Sequence, residues 1–191
     1  MSAPRVVLGV AGASGAVLGL SAARQLTALG AETDLVVSPA AERTIAEECG
    51  AEAWEELQDL AARVHPVSDI GATIASGSVP VAGMIVAPCS MRTLAAIAYG
   101  LDDNLLTRAA SVQLKERRPL VLLARETPLT LAHLRNMTAV TEMGAVVMPP
   151  APAFYLHPKS VQDIADQIAA RAIDQLRIAG PAAARWTGSA L

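Results

Sequence analysis

Two short apolar runs, each closed by small and hydroxyl residues and then by a helix-forming stretch, constrain this chain more than any other feature. The first is Val6–Val10, followed by Ala11-Gly12-Ala13-Ser14-Gly15-Ala16; the second is Met84-Ile85-Val86-Ala87, followed by Pro88-Cys89-Ser90-Met91-Arg92-Thr93. Apolar runs of this length, bounded by turn residues, read as strands buried on two faces. Further strand signals fall at Leu35–Val37, Pro119–Ala124 and Ala145–Met148, and Val79–Ala87 leads into a third strand that stops at Pro88. Helical patterns lie between them: to about Leu29, from Pro39 to about Arg63 with a break near Gly50, over Met91–Tyr99, to about Arg117, and over Leu129–Met143. A last helix is opened by Ser160 and Asp163 in the manner of a capping box, with Val161, Ile164, Ile168, Ala172 and Leu176 as its apolar stripe. Strict strand–helix alternation predicts a three-layer, open parallel sheet with helices on both faces, a Rossmann- or flavodoxin-like α/β fold.

At 191 residues the chain is expected to form one domain over 1–191, with a core from 5 to 178 and a tail from 179 to 191. From Gly180 the tail reads as loosely ordered, with Trp186 free to dock on a neighbour. Charged residues make up 17% of the chain against about 25% in ordinary domains, and 52% are hydrophobic, so the surface is partly apolar and a homo-oligomer is expected. The net charge of −3 and the lack of a basic run give no support to nucleic-acid binding, and no nucleic-acid partner is expected. Two cysteines, Cys49 and Cys89, imply no disulfide framework, and three scattered histidines imply no metal site. Val6–Ala23 is uncharged like a short signal peptide, but Gly9, Gly12, Gly15 and Gly19 interrupt it and the helical pattern runs on through Arg24. Ile70–Met91 is uncharged too, yet rich in Gly, Ser and Pro, which makes it a poor membrane span. A cytoplasmic protein is expected.

In open α/β sheets ligands sit at the carboxyl ends of strands. There Gly12-Ala13-Ser14-Gly15 is a phosphate- or flavin-binding turn, though a plain tight βα turn fits that run alone about as well. It is not GxGxxG, and Ser38 stands at the end of the second strand where an acid would hold a ribose, which favours a mononucleotide such as FMN over NAD. Ser90 and Thr93 add hydroxyls at a helix start whose free N–H groups favour phosphate. Arg108 and Lys115 lie seven residues apart, on one helical face with Ser111 between them, which fits a second anion site or a solvated basic face. Arg125-Glu126 follows the fourth strand signal, either clamping a phosphate beside a proton-handling carboxyl or forming a local ion pair. Tyr155 either covers the site or simply packs, and Arg171 borders the apolar stripe, snorkelling or aimed at an anion.

Taken together these runs resemble the UbiX-type flavin prenyltransferases, within the superfamily of homo-oligomeric flavin-containing cysteine decarboxylases. The matching runs include Gly12-Ala13-Ser14-Gly15-Ala16, Ala75-Ser76-Gly77-Ser78, Pro88-Cys89-Ser90-Met91-Arg92-Thr93-Leu94, Leu114-Lys115-Glu116-Arg117-Arg118-Pro119-Leu120, Arg125-Glu126-Thr127-Pro128-Leu129 and Met148-Pro149-Pro150-Ala151-Pro152-Ala153-Phe154-Tyr155. The resemblance implies transfer of a dimethylallyl group from dimethylallyl monophosphate to N5 and C6 of reduced FMN, without metal. The prenylated FMN then serves a UbiD-type decarboxylase, in ubiquinone biosynthesis or another pathway. It implies FMN binding by Gly12, Ala13, Ser14, Ser38, Ser90, Met91, Arg92, Thr93 and Arg125. Prenyl-phosphate binding falls to Arg108, Lys115, Arg125, Tyr155 and Arg171, partly across subunits of a dodecamer. Glu126 would handle the proton, Lys115 spread the phosphate charge and Ser14 assist at N5. Ser111 departs from the family's helix motif, where an acidic residue is expected.

Two rivals remain. A flavin-dependent cysteine decarboxylase of the same superfamily would carry an active-site His before the third strand, where Asp69-Ile70 stands. It would also carry an Asn-containing clamp, where Met148-Pro149-Pro150-Ala151-Pro152 stands. A non-catalytic FMN-binding regulatory subunit would have no need of the cation set with Glu126.

Overall fold

The computed structural model describes residues 3–188. The chain runs β1 (Arg5–Val10), α1 (Ala16–Ala28), β2 (Glu32–Val37), α2 (Pro39–Cys49), α3 (Ala53–Asp59), β3 (Arg63–His65), β4 (Gly83–Cys89), α4 (Met91–Ala98), α5 (Leu105–Lys115), β5 (Leu120–Ala124), α6 (Leu131–Glu142), β6 (Val146–Val147) and α7 (Val161–Leu176). Single 3-10 turns lie at Thr73–Ala75 and Phe154–Leu156. All five strand pairings are parallel, in the spatial order β3-β2-β1-β4-β5-β6. The order reverses between β1 and β4, so the helices that follow these strands leave on opposite faces. Successive side chains of a strand point to opposite faces, and the burial follows that rule. Leu8, Leu35, Ile85 and Val121 pack with α1, α2 and α7 on one side, while Val7, Val36, Met84 and Leu122 pack with α4, α5 and α6 on the other. This is the expected three-layer fold. The apparent signal-like run is β1 and α1, most of it buried in the core, and no helix among the described residues is long and apolar enough to cross a membrane.

Several boundaries differ from expectation, each for a local reason. β4 does not stop at Pro88 but continues to Cys89. Pro88 lacks an N–H, and it falls where the β4–β5 register shifts between Val86 and Cys89, so no ladder bond is lost there. Its carbonyl accepts from Ala11 N at 3.1 Å, tying the ends of β1 and β4 together. α6 begins at Leu131 rather than Leu129 because Thr130 forms a capping box with His133. Val161, expected on the apolar stripe of α7, is 73% exposed, whereas Ile168, Ala172 and Leu176 are buried. Ser160 and Asp163 do form the capping box.

β3 carries no strand signal in the sequence, and charge explains its place. Asp34 on β2 is fully buried and accepts from Arg5 at 2.8 Å and lies 2.7 Å from His65 Nε2, with Arg63 at 3.8 Å. Arg5 also donates to Thr73 Oγ1 at 3.0 Å, which holds the segment between β3 and β4 against the sheet. Burial pushes the Asp34 carboxyl upward, but the hydrogen bonds and charges of Arg5 and His65 outweigh it and hold the group below the ordinary aspartate value. A group lowered in the folded state contributes stability above its unfolded range, and that contribution is lost as pH falls through the folded value. Asp34→Ala is therefore expected to destabilise the fold by about 3–5 kcal/mol, read from urea unfolding. Asp34→Asn should in addition flatten the acid-side loss of stability below about pH 4.

Candidate active site

At the reversal between β1 and β4 the carboxyl ends of neighbouring strands diverge, and the N-termini of α1, α2, α4 and α5 gather around the opening. Ser38 Oγ caps α2 by accepting from Ala41 N at 3.3 Å, Ser90 Oγ caps α4 by accepting from Thr93 N at 3.2 Å, and Asn104 Oδ1 caps α5 by accepting from Thr107 N at 3.1 Å. The serines therefore have a structural task, while the N–H groups around them keep the positive end of each helix turned to the opening. A cleft of about 690 Å³ lies here, lined by Gly12, Ser38, Pro39, Val67, Ser68, Ser90, Arg92, Thr93, Asp103 and Asn104. Arg92 is exposed at its rim and paired with Asp103. Ala13 is half-buried in the adjacent turn, and Met91, also half-buried, packs on the α4–α5 side of the core.

The glycine turn is shaped by two demands. A side chain on Gly12 would meet the Ala40 Cβ at 2.4 Å, so the start of α2 can lie against the turn only because that position is glycine. Gly15 has φ 108° and begins α1 without a side chain to cap it. The missing cap comes from Glu48 at the far end of α2, whose Oε2 accepts from Gly15 N at 2.7 Å and Ala16 N at 2.9 Å. Burial raises the Glu48 carboxyl, yet the Ser14 hydroxyl, the two amides and the charge of Arg125 together hold it below the usual glutamate value. Ser14, Glu48 and Arg125 thus form one electrostatic unit. Sequence reasoning missed Glu48; an uncapped helix start signals that some acceptor is needed but not which one, 33 residues away.

Next to this unit, Arg125 N donates to Cys89 O at 3.1 Å. Glu126 is exposed, and its Oε1 accepts from the Thr127 amide at 2.9 Å, so it does not form the local ion pair with Arg125 that the sequence left open. Cys89 is fully buried and burial pushes its thiol up to about 12, which leaves it protonated and not a nucleophile.

A second concavity of about 560 Å³ lies over α7, with Met148, Pro149, Tyr155, Ile168, Arg171 and Trp186 in its wall. Within the chain Trp186 packs edge-to-face on Tyr155, ring centroids 5.3 Å apart, and keeps much of its surface exposed. In the tail, Ala182, Ala183 and Ala184 are hydrogen-bonded to α7, while the last three residues lie outside the described residues.

A family model described as Flavoprotein matches residues 1–173. A flavin prenyltransferase UbiX of Neisseria meningitidis serogroup B is 54% identical over 186 residues, covering 97% of this chain and 98% of its own. The crystal structure of AnUbiX (PadA1) in complex with FMN and dimethylallyl pyrophosphate superposes with a TM-score of 0.94 at 46% identity, covering 98% of this chain and 100% of that one. A dodecameric FMN-dependent UbiX-like decarboxylase from Escherichia coli O157:H7 gives 0.91 at 46% identity, covering 96% and 100%.

The chain belongs to the UbiX flavin prenyltransferases.

Placed on the UbiX fold, the expected cation set splits. Arg108 and Lys115 belong to α5, which packs on one side of the sheet, whereas Tyr155 and Arg171 belong to the α7 side. α5 also starts beside Ser90 and runs away from it, so Lys115 ends at the opposite edge, paired with Glu116 against Gly77. One copy does not bring these four residues together. Ser111, where an acidic residue was expected, leaves Arg108 with an acid all the same: Asp102 accepts from Arg108 at 3.0 Å and from Ser111 Oγ at 2.5 Å. Glu48→Ala would leave two amides of the glycine turn without an acceptor and is expected to cost about 1–3 kcal/mol. Glu48→Gln, which keeps an acceptor oxygen, should cost less, and thermal unfolding of the two variants checks the order.

Proposed function

We propose that this protein transfers a dimethylallyl group from dimethylallyl monophosphate to N5 and C6 of reduced FMN, and that the prenylated FMN is passed to a UbiD-type decarboxylase. The observation that carries the reading is the separation of two anion-grade features. One is a cleft at the strand reversal ringed by helix N-termini; the other is the concavity over α7, where Tyr155 and Arg171 lie beside apolar walls and to which Arg108, Lys115 and Arg125 are assigned as further phosphate ligands. The cleft suits a flavin mononucleotide. Gly12, Ala13, Ser14, Ser38, Ser90, Met91, Arg92, Thr93 and Arg125 are the residues assigned to hold it. When bound, reduced FMN supplies the nucleophilic ring positions that take up the prenyl carbon.

The remaining steps fall to the chain's own groups. Phosphate leaves slowly until its charge is spread over cations, which Lys115, Arg108 and Arg171 supply together with the Tyr155 hydroxyl. Arg, with its planar fork, suits a phosphate oxygen pair, while Lys acts as a point charge. The walls of Met148, Pro149 and Ile168 exclude water from the allylic carbon while its bond to oxygen weakens. Glu126 is assigned proton handling, and Ser14, held by Glu48, assists at N5. No Asp-rich motif for a metal-bound diphosphate occurs in the sequence, which supports monophosphate as the donor and a metal-free reaction.

Because α5 and α7 lie on opposite sides of the sheet, the cation set requires a second copy, and a homo-oligomer, taken here to be a dodecamer, supplies it. Tyr99, Leu101, Ile70, Leu131 and Phe154 are large apolar side chains between 56% and 75% exposed, the surface such an assembly covers. The assembly is assigned to the cytoplasm, where two unpaired cysteines persist.

Anaerobic incubation with reduced FMN and dimethylallyl monophosphate, without Mg²⁺, should give a flavin heavier by one C₅H₈ unit by mass spectrometry. An unchanged flavin with this donor and with the diphosphate would overturn the reading. Glu126→Gln is expected to bind FMN normally and lose at least about 100-fold in transfer rate; normal turnover would remove Glu126 from the chemistry. Mixed oligomers of Lys115→Ala and Arg171→Ala copies should regain turnover that neither variant has alone, as a site shared between copies demands.

A further inference from the structure

Three residues of α7 lie on one face at i, i+4 and i+7: Gln167, Arg171 and Asp174. Arg171 carries the anion-binding role in the reading above, and its two flanking residues have none. Both are occupied by the C-terminal tail. Gln167 Nε2 donates to Ala184 O at 3.1 Å, and Ala184 N donates back to Gln167 Oε1 at 3.0 Å. Asp174 Oδ1 accepts from Ala182 N at 2.8 Å and Oδ2 from Ala183 N at 3.3 Å. The same Oδ2 lies 3.7 Å from the Arg171 guanidinium, and the Asp174 side chain is 6% exposed.

These contacts do two things at once. A side-chain amide that both donates to and accepts from one residue pairs with it as a neighbouring strand would, and so fixes the register of the tail. Two residues further on, that register puts Trp186 edge-to-face on Tyr155 and closes the wall of the concavity that holds Arg171. Asp174 links the two, because one carboxylate holds the tail amides and faces the cation.

We propose that Gln167 and Asp174 are positioning residues for prenyl-phosphate binding: they lock the tail so that Trp186, Tyr155 and Arg171 form one preorganised pocket. The inference rests on the prenyl-transfer reading for the identity of the pocket's ligand, but not for the clamp itself. The chain has two tryptophans, so a Trp54→Phe background leaves Trp186 as the sole emitter. In the flavin-free protein, Gln167→Ala should shift that emission to the red as Trp186 leaves Tyr155. In turnover, Gln167→Ala should raise KM for dimethylallyl monophosphate about tenfold, the scale of one or two lost hydrogen bonds, with kcat and FMN affinity unchanged. Asp174→Ala should raise KM further, and Asp174→Asn should fall between the two. The Gln167→Ala and Trp186→Ala effects should not add, since Gln167 acts through Trp186. Fully additive effects, an unmoved emission, or an equal loss of FMN affinity would each overturn the clamp, and Gln167→Ala, a substitution on the outer face of a helix, keeps this decidable if Asp174→Ala does not fold. A parent enzyme inactive with either prenyl donor would instead overturn the functional reading and the ligand assigned to the pocket, leaving the emission result to judge the clamp separately.

Discussion

The parting of β1 and β4 organises this molecule. Two adjacent parallel strands joined at their carboxyl ends by the Ala11–Pro88 bond send their helices to opposite faces, α1 to one and α4 to the other. A crevice follows from that connectivity alone, and parallel strands ensure that every helix bordering it presents N–H groups rather than carbonyls. Gly12 allows α2 to approach, Ser38 and Ser90 begin the helices in the right place, and Glu48 crosses beneath to cap α1, which begins without a capping side chain of its own. An anion is welcome at this edge before any charged side chain is counted.

The second constraint is the path back across the sheet. After β6 the chain passes through a proline-rich segment and crosses to the α1 side, where α7 packs. That single crossing separates Tyr155 and Arg171 from Arg108 and Lys115, and makes assembly a condition of the chemistry assigned to them. A monomer of this fold owns the cleft at the strand reversal, with the four side chains divided between two faces of the sheet. The low charge content of the chain and its exposed Tyr99, Leu101 and Phe154 agree with a molecule whose surface is largely meant for copies of itself.

The sequence revealed what periodicity and turn chemistry encode. Apolar runs gave β1, β2, β4 and β5, and Ser38-Pro39, Ser90 and Ser160 gave helix starts to the residue. β3 escaped because Arg-Val-His is held by the buried carboxylate of Asp34, and burial of a charge on another strand leaves no local pattern. Pro88 misled for the opposite reason: its usual penalty as a strand residue vanishes at a register shift that only the pairing reveals. The candidate site residues were legible as chemical types, but their placement in space was not. Helical spacing says that Arg108 and Lys115 share a face; it does not say on which side of the sheet that face lies. Likewise Asp102, nine positions from Ser111, supplies an acid to Arg108 through a loop that no helical period describes.

Cys89 lies next in the chain to Ser90, at the lip of the cleft, and is sealed off with its thiol raised to about 12. Thiols are oxidised and alkylated as thiolates, so this sulfur is shielded from both reactions by its burial and its raised thiol. The burial that makes Cys89 useless as a nucleophile also lets a strand end beside an open cleft carry a cysteine that reagents entering the cleft do not reach.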